Sequence, residues 1–184
     1  MTNRSTRASY RLRQFWQGLR AEVSAAELAE AARILPPAAA LLFRRLPEDA
    51  QRHSLNVLAG VRAQGDAPPD LEVAALLHDA GKLAAEQAGV RIGLWLRGPR
   101  VLLEACAPGL PGRLARDDPH AGWRYALHVH LHHPHIGAQW AAAAGCTPRA
   151  CRLIAHHQDA DPPPGADEET VRLLRRLQQA DDEN

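Results

Sequence analysis

Residues 70–82 read DLEVAALLHDAGK, and this stretch indicates most about the fold of the chain. The apolar run in its middle predicts a deeply packed helix from Leu71 to Asp79, which Asp70 can cap and the following glycine can end. Neighbouring side chains on a helix point about 100° apart. At a helix end, however, His78 and Asp79 can both reach one metal ion, or each can meet a different ion. The stretch therefore places two metal-binding groups at the end of a buried helix.

Helical signals dominate the rest of the chain. Alanine and leucine are abundant, aromatic residues make up 4% of the sequence, and no segment alternates apolar and polar residues for long. The predicted fold class is therefore all-α. Proline at position 134 is expected to be the first residue of its helix. Prolines and capping residues place the expected helices near residues 10–34, 38–46, 47–64, 134–144, 148–157 and 167–181, with short ones near 92–106 and 123–131.

Length, charge and cysteine content limit the class of protein. A chain of 184 residues with a net charge of +1 can bury one core and has no overall field that favours nucleic acid as a partner. Its apolar stretches are far shorter than the roughly 20 residues of a membrane-spanning helix. Cys106, Cys146 and Cys151 are an odd number in a chain that starts without a secretory signal. We therefore expect a cytoplasmic protein that has no disulfides and does not have a membrane or a nucleic acid as its partner.

Histidine and lysine are distributed unevenly. Six of the ten histidines lie between positions 120 and 135, and such clustering is typical of metal chemistry. Lys82 is the only lysine among the 22 Lys and Arg residues; its place just after His78-Asp79 suggests a chemical role, although chance explains it equally well. Cys146, Cys151 and His156 are spaced too widely for the compact pattern of structural zinc, so we interpret both cysteines as core residues.

Five short elements in a fixed order give the chain a family resemblance. Residues 50–182 resemble the HD-domain metal-dependent phosphohydrolases, which carry a histidine, an adjacent His-Asp pair, two further histidine segments and a distal aspartate, all on helices. The matching elements are Arg52-His53-Ser54, Ala74 to Lys82 with His78-Asp79, His133-Pro-His-Ile-Gly137, Ile154-Ala-His156-His157-Gln158 and Ala180-Asp181-Asp182. The resemblance implies an HD-domain-like helical bundle over residues 47–184, with residues 1–46 as an N-terminal helical segment packed on it.

The same resemblance implies a set of metal ligands. His53, His78, Asp79 and Asp181 would hold one ion, and Asp79 would bridge to a second. The second ion would be held by His133 and His156, with His157 left open as a further ligand and His132 as an alternative to His133 if the register differs by one. Mixed imidazole and carboxylate ligands suit one or two divalent ions of Mn, Fe, Co, Ni or Zn.

The implied function is hydrolysis of a phosphate mono- or diester of a small phosphorylated molecule, with a nucleotide favoured, by a metal-activated water. Asp79 and Lys82 are the expected catalytic residues, with Lys82 neutralising phosphate charge. The HD-GYP branch is disfavoured because Gln158 replaces an acidic residue and the Gly-Tyr-Pro segment is missing. Two alternatives stay open: a non-catalytic binding or regulatory module with the same fold, and a di-iron oxygenase.

Overall fold

The computed structural model describes residues 22–90 and 109–184, and within them the chain is helical without strands. The all-α prediction is confirmed. In chain order the helices are α1 (Ala25–Ile34), α2 (Pro37–Arg44), α3 (Glu48–Ala63), α4 (Pro69–Leu77), α5 (Leu83–Gln87), α6 (Leu110–Leu114), α7 (Trp123–Ala143), α8 (Pro148–His156) and α9 (Glu168–Asp182), with 3₁₀ turns at Ala80–Lys82 and Pro119–Ala121.

Helix α4 lies at the centre of the bundle. All its residues from Val73 to Leu77 are buried, and helices α1, α3, α8 and α9 pack around it, as expected for a helix that is apolar on nearly every face. It begins at Pro69 rather than at the predicted Leu71, because proline is well accommodated in the first turn. Asp70 is therefore not its cap. Its carboxylate accepts a hydrogen bond from the Thr147 hydroxyl at 2.6 Å instead.

Helices α1 and α2 join the same core as the helices that follow them. Apolar residues of this part, including Ala31 and Phe43, belong to one buried cluster with those of α3, α4 and α9. Arg52 of α3 ties α1 in place by donating to Glu27 at 2.7 Å and to the Glu22 carbonyl at 2.7 Å. Residue 53, the next position along the chain, therefore lies on a helix that is tied to α1 at this point.

Helix α7 differs from the prediction. We expected a short helix near residues 123–131 and a second one starting at Pro134, but one helix of 21 residues runs through both, with Pro134 inside it. The predicted helix near residues 92–106 lies outside the described residues. Thr147, which precedes the predicted helix at residues 148–157, caps that helix by accepting a hydrogen bond from Ala150 N–H. Asp167, where the last helix was expected to begin, is its N-cap and accepts from Thr170 N–H.

Among the described residues, no helix combines the length and the apolar character needed to cross a membrane.

Candidate metal centre

Asp79 lies at the centre of a group of imidazole rings. It follows the last turn of α4, where the chain enters the 3₁₀ turn Ala80–Lys82. Four histidine rings from α3, α7 and the ends of α4 and α8 converge edge to face, with centroids 5.1 to 5.3 Å apart. These rings belong to His53, His78, His133 and His157. Elements distant in sequence thus bring metal-binding groups to one carboxylate.

The first group of ligand atoms lies on the side of Asp79 Oδ2. His78 Nε2 is 3.7 Å and His53 Nε2 is 3.9 Å from that oxygen. Asp181 closes the group, because its Oδ1 lies 3.0 Å from His53 Nε2 and 3.5 Å from His78 Nε2. One atom each of His53, His78 and Asp79 lie within 4.8 Å of one another, so this group can hold a metal ion.

The second group lies on the side of the other oxygen of Asp79. His133 Nε2 is 3.2 Å and His157 Nε2 is 3.9 Å from Asp79 Oδ1. The three residues are buried, and their ligand atoms also lie within 4.8 Å of one another. Asp79 is therefore shared between two groups, one on each oxygen.

Three of the rings are held by the same kind of contact. The Nδ1–H of His78 donates to the Ala75 carbonyl at 3.0 Å, that of His133 to the His130 carbonyl at 2.8 Å, and that of His157 to the Ile154 carbonyl at 2.8 Å. In every case the acceptor lies three residues earlier. A carbonyl can only accept, so Nδ1 carries the proton in each ring, and in a neutral ring the Nε2 lone pair is left to face the centre. Metal-binding histidines are commonly oriented in this way. Burial opposes the charged form of His78, but the carboxylates of Asp79 and Asp181 raise its pKa. A proton on His78 Nε2 is therefore favoured in the metal-free protein, and a bound metal ion would have to replace it.

The second group contains unsatisfied buried nitrogens. His133 Nε2 and His157 Nε2 have no hydrogen-bond partner among the described residues, although both atoms are buried. A lone pair on His133 Nε2 that faces Asp79 Oδ1 at 3.2 Å places two acceptors against each other, which is unfavourable without a cation or a proton between them. These residues therefore fit a bound metal ion.

The charge states of the centre also suit a cation. Burial opposes ionisation of Asp79, but the Lys82 ammonium and the neighbouring His78 hold the pKa of this carboxyl well below its usual range. Burial also opposes ionisation of Asp181, yet hydrogen bonds with His53 and His78 lower its pKa. Burial, together with the nearby His78, lowers the pKa of His157 to about 3. Both carboxylates are thus ionised near neutral pH while His157 is neutral, as metal ligands need to be.

Close packing of α3 and α9 brings Asp181 to His53. A Cβ added at Gly60 would lie 3.1 Å from the Cβ of Ala180, so the two helices approach each other where both residues are small. Arg176 of α9 holds the C-terminal end of α3 by donating to the Val61 carbonyl at 2.8 Å. The distal aspartate of the sequence therefore reaches a residue 128 positions earlier.

The structure distinguishes the two adjacent histidines His156 and His157 as candidate ligands. His157 joins the second group, whereas His156 lies outside both groups, with its Nδ1 2.6 Å from Asp159 Oδ2 and its ring facing His135. The prediction of His156 as a ligand is therefore wrong for this geometry, whereas His157, which the sequence left open, lies in the second group. The physical reason is the packing of α8 against α4 and α7, which turns the end of α8 so that position 157 faces Asp79 and position 156 does not.

The other histidines of α7 lie apart from the two groups. The alternative register with His132 is not adopted, because His132 is exposed and its ring lies against that of His128, tilted by 40° with centroids 4.6 Å apart. Cys146 and Cys151 are free thiols packed against the core, and burial raises the pKa of the Cys146 thiol to about 11. This environment disfavours the thiolate that zinc binding requires.

Among the described residues, the two sides of the centre differ in exposure. The side chains of His53, Asp181 and Lys82 are 27%, 25% and 39% exposed, whereas those of His133 and His157 are fully buried. Lys82 Nζ lies 2.5 Å from Asp79 Oδ2, on the side of the first group. A small molecule can therefore approach the first group and the lysine from solvent, while the second group is closed by the bundle.

The sequence did not reveal the backbone contacts that orient the rings. The carbonyls of Ala75, His130 and Ile154 fix the tautomers, and the close approach of Gly81 to α7 sets the distance between the two parts of the centre. The available signal was a glycine shortly after two of the histidine elements, at Gly81 after His78-Asp79 and at Gly137 after His133.

Comparison of the chain with profiles of protein families, with characterised proteins and with solved structures gave no match.

Proposed function

We propose that the chain is a metal-dependent phosphohydrolase that cleaves a phosphate mono- or diester of a nucleotide or another small phosphorylated metabolite. One observation carries the proposal: the two oxygens of the buried Asp79 face two separate sets of histidine nitrogens. A carboxylate between two ions is suited to a two-metal phosphoryl-transfer site, in which the ions stabilise the attacking and leaving oxygens. The order of motifs that resembles the HD-domain phosphohydrolases supports the same chemistry.

The ligand assignment follows the two groups. His53, His78, Asp79 and Asp181 would hold the first ion, and Asp79, His133 and His157 the second. Nitrogen and oxygen ligands of this kind suit Mn, Fe, Co, Ni or Zn. Bound there, such ions supply a hydroxide nucleophile near neutral pH and neutralise phosphate oxygens.

The surrounding residues support a phosphorylated substrate. Lys82 is partly exposed beside the centre, where its ammonium can bind a phosphate oxygen as a point charge. His53 and Asp181 line the same exposed side, so substrate would enter there. The buried side around His133 and His157 excludes bulk water, which strengthens the electrostatic interactions that act on a bound phosphate.

Metal content is the first test of this proposal. The protein should be prepared without a polyhistidine tag, stripped with a chelator, reloaded separately with Mn, Fe, Co, Ni or Zn, and analysed for bound metal. We expect about two equivalents per chain, as for two-metal sites, and a sharp loss of both in Asp79→Ala. His157→Ala should lose one equivalent. His156→Ala is the matched control, because it removes an imidazole that contacts Asp159 instead of Asp79, and it should keep both.

Turnover is the second test. Each metal-loaded form should be assayed with an aryl phosphate, an aryl phosphodiester and a panel of nucleotides. We expect turnover that depends on added metal and falls at least about 100-fold in Asp79→Ala, since a missing metal ligand removes stabilisation worth several kcal/mol. Tight metal binding without turnover on any phosphate would instead support a regulatory module, and oxygen-dependent turnover of the iron form would support an oxygenase.

A further inference from the structure

Pro134 stands in the middle of a helix, where proline is normally disfavoured. It lies inside α7, one residue after His133. An interior proline has no N–H, so the carbonyl four residues earlier loses its helical donor. That carbonyl belongs to His130. It accepts a hydrogen bond from His133 Nδ1 at 2.8 Å instead.

His78 and His157 also donate from Nδ1 to a backbone carbonyl, but they do so at helix ends. Comparison with them shows why His133 needs a proline beside it. His78 and His157 follow the last residues of α4 and α8, where the final carbonyls of a helix have no intrahelical donor. The Ala75 and Ile154 carbonyls are thus available to the two rings at the helix ends. His133 lies well inside a helix, where an ordinary residue at position 134 would compete for the corresponding carbonyl.

We infer that Pro134 is a positioning residue: by withholding a backbone N–H it gives the His130 carbonyl to His133 Nδ1 and thereby turns His133 Nε2 toward Asp79. The orientation is visible in the distance of 3.2 Å between that Nε2 and Asp79 Oδ1. The inference rests on the proposed function only in identifying a metal ion as the group that Nε2 binds. The orientation itself is a property of the metal-free chain.

The decisive variant is Pro134→Ala, which restores the N–H. Alanine is a far better helix former than proline, so the melting temperature should stay the same or rise. His133, in contrast, should lose its fixed tautomer. Histidine ¹⁵N NMR of the metal-free protein, recorded about two pH units above the ordinary histidine pKa, should show only the Nδ1–H form of His133 in the parent and a mixture with Nε2–H in the variant.

Metal affinity gives a second readout. It should be measured by metal titration in a His53→Ala background. That substitution disables the first group, so the titration reports on the second group of Asp79, His133 and His157. Removing a group that orients a metal-binding histidine typically weakens metal affinity by about 10- to 100-fold, and we expect a loss of at least about 10-fold in Pro134→Ala. A loss of affinity without a loss of thermal stability distinguishes orientation from a merely structural role.

Pro148→Ala is the matched control. Pro148 is the first residue of α8, where a proline leaves no intrahelical carbonyl without a donor, so the tautomer of His133 and the metal affinity should not change. Pro134→Gly restores the same N–H without a side chain and replaces the alanine variant if that variant does not fold. A His133 ring that stays wholly in the Nδ1–H form, with parental metal affinity, would overturn the inference.

The two proposals can fail separately. If the parent protein binds no metal but the tautomer changes in Pro134→Ala, the metal-dependent function is wrong and the positioning contact is supported. If the parent binds metal and turns over a phosphate ester, but the tautomer of His133 is unaffected by the variant, the proposed function is supported and the role of Pro134 is wrong.

Discussion

Gly81 and Gly137 bring two backbones into contact at the metal centre. A Cβ added at Gly81 would lie 2.7 Å from the amide nitrogen of Gly137 and would overlap with the carbonyl oxygen of His133. A Cβ at Gly137 would in turn lie 3.0 Å from the amide nitrogen of Gly81. The main chain of the 3₁₀ turn that follows Asp79 therefore packs directly against the main chain of α7. This contact sets the distance between His133 and Asp79.

The first prediction concerns this contact. In Gly81→Ala the new methyl group meets main-chain atoms of α7, which cannot rotate away as a side chain can, so the helix has to shift. Overpacking of this kind typically costs about 1–3 kcal/mol. We expect the free energy of unfolding, measured with urea on the metal-free protein, to fall by that amount. Titration with Mn or Zn should show weaker binding of the second ion, because His133 moves with the helix.

Gly112→Ala is the matched control for this substitution. A Cβ at Gly112 would meet no described atom within 4 Å, and alanine is the better helix former in α6. This variant should keep both the parental stability and the parental metal content. Equal unfolding free energies for the parent and Gly81→Ala would show that the two backbones are not in contact.

The second prediction concerns Lys82, which has two expected effects of opposite sign. Its ammonium lies 2.5 Å from Asp79 Oδ2 and lowers the pKa of this carboxyl in the metal-free protein. Lys82→Met removes that charge while keeping much of the apolar stem. The metal-free protein should lose roughly 1–2 kcal/mol of unfolding free energy, less than for a fully buried ion pair because Lys82 is partly exposed.

The same variant should bind the first metal ion more tightly, since a competing cation beside Asp79 has been removed. If Lys82 also contacts phosphate, the KM of the metal-loaded enzyme should rise several-fold. Calorimetric metal titration and steady-state kinetics on the same preparation check both effects. Weaker metal binding in Lys82→Met would show that the lysine supports the metal site instead of competing with the ion.

Local chemistry made part of this fold predictable. Thr147 and Asp167 carry side chains that cap a helix start, and each caps one in the structure. The apolar stretch before His78 likewise indicated a buried helix, because no face of it suits water. Such features depend on a few adjacent residues, so they can be deduced from sequence without knowledge of tertiary contacts.

Other features depend on contacts that the sequence does not contain. Pro134 indicated a helix start, yet the helix continues through it, and the His130 carbonyl accepts a hydrogen bond from His133 Nδ1 in place of the missing N–H of Pro134. The choice between His156 and His157 depends on the direction in which the end of α8 faces Asp79. That direction is set by packing of α8 against α4 and α7. Since both residues are histidine, the sequence alone does not indicate which of them faces Asp79.

The third prediction concerns the pH dependence of stability in the metal-free protein. Burial, with His78 nearby, lowers the pKa of His157 from 6.5 to about 3. Between these values the unfolded chain binds a proton at this residue and the folded chain does not, so the contribution of His157 is fully present above pH 6.5 and is lost as the pH falls toward 3. Its slope approaches about 1.4 kcal/mol per pH unit, the value for one proton.

His157→Asn removes this proton while keeping a polar side chain of similar shape. The free energy of unfolding of the metal-free protein should be measured with urea from neutral pH down toward the folded-state pKa. It should fall less steeply with pH in the variant than in the parent, and the difference in slope should correspond to at most one proton. His156→Asn is the control, since His156 is outside both groups, and it should follow the parental slope. Parallel slopes for the parent and His157→Asn would mean that His157 takes up its proton at the same pH in the folded and the unfolded chain, so that burial does not lower its pKa.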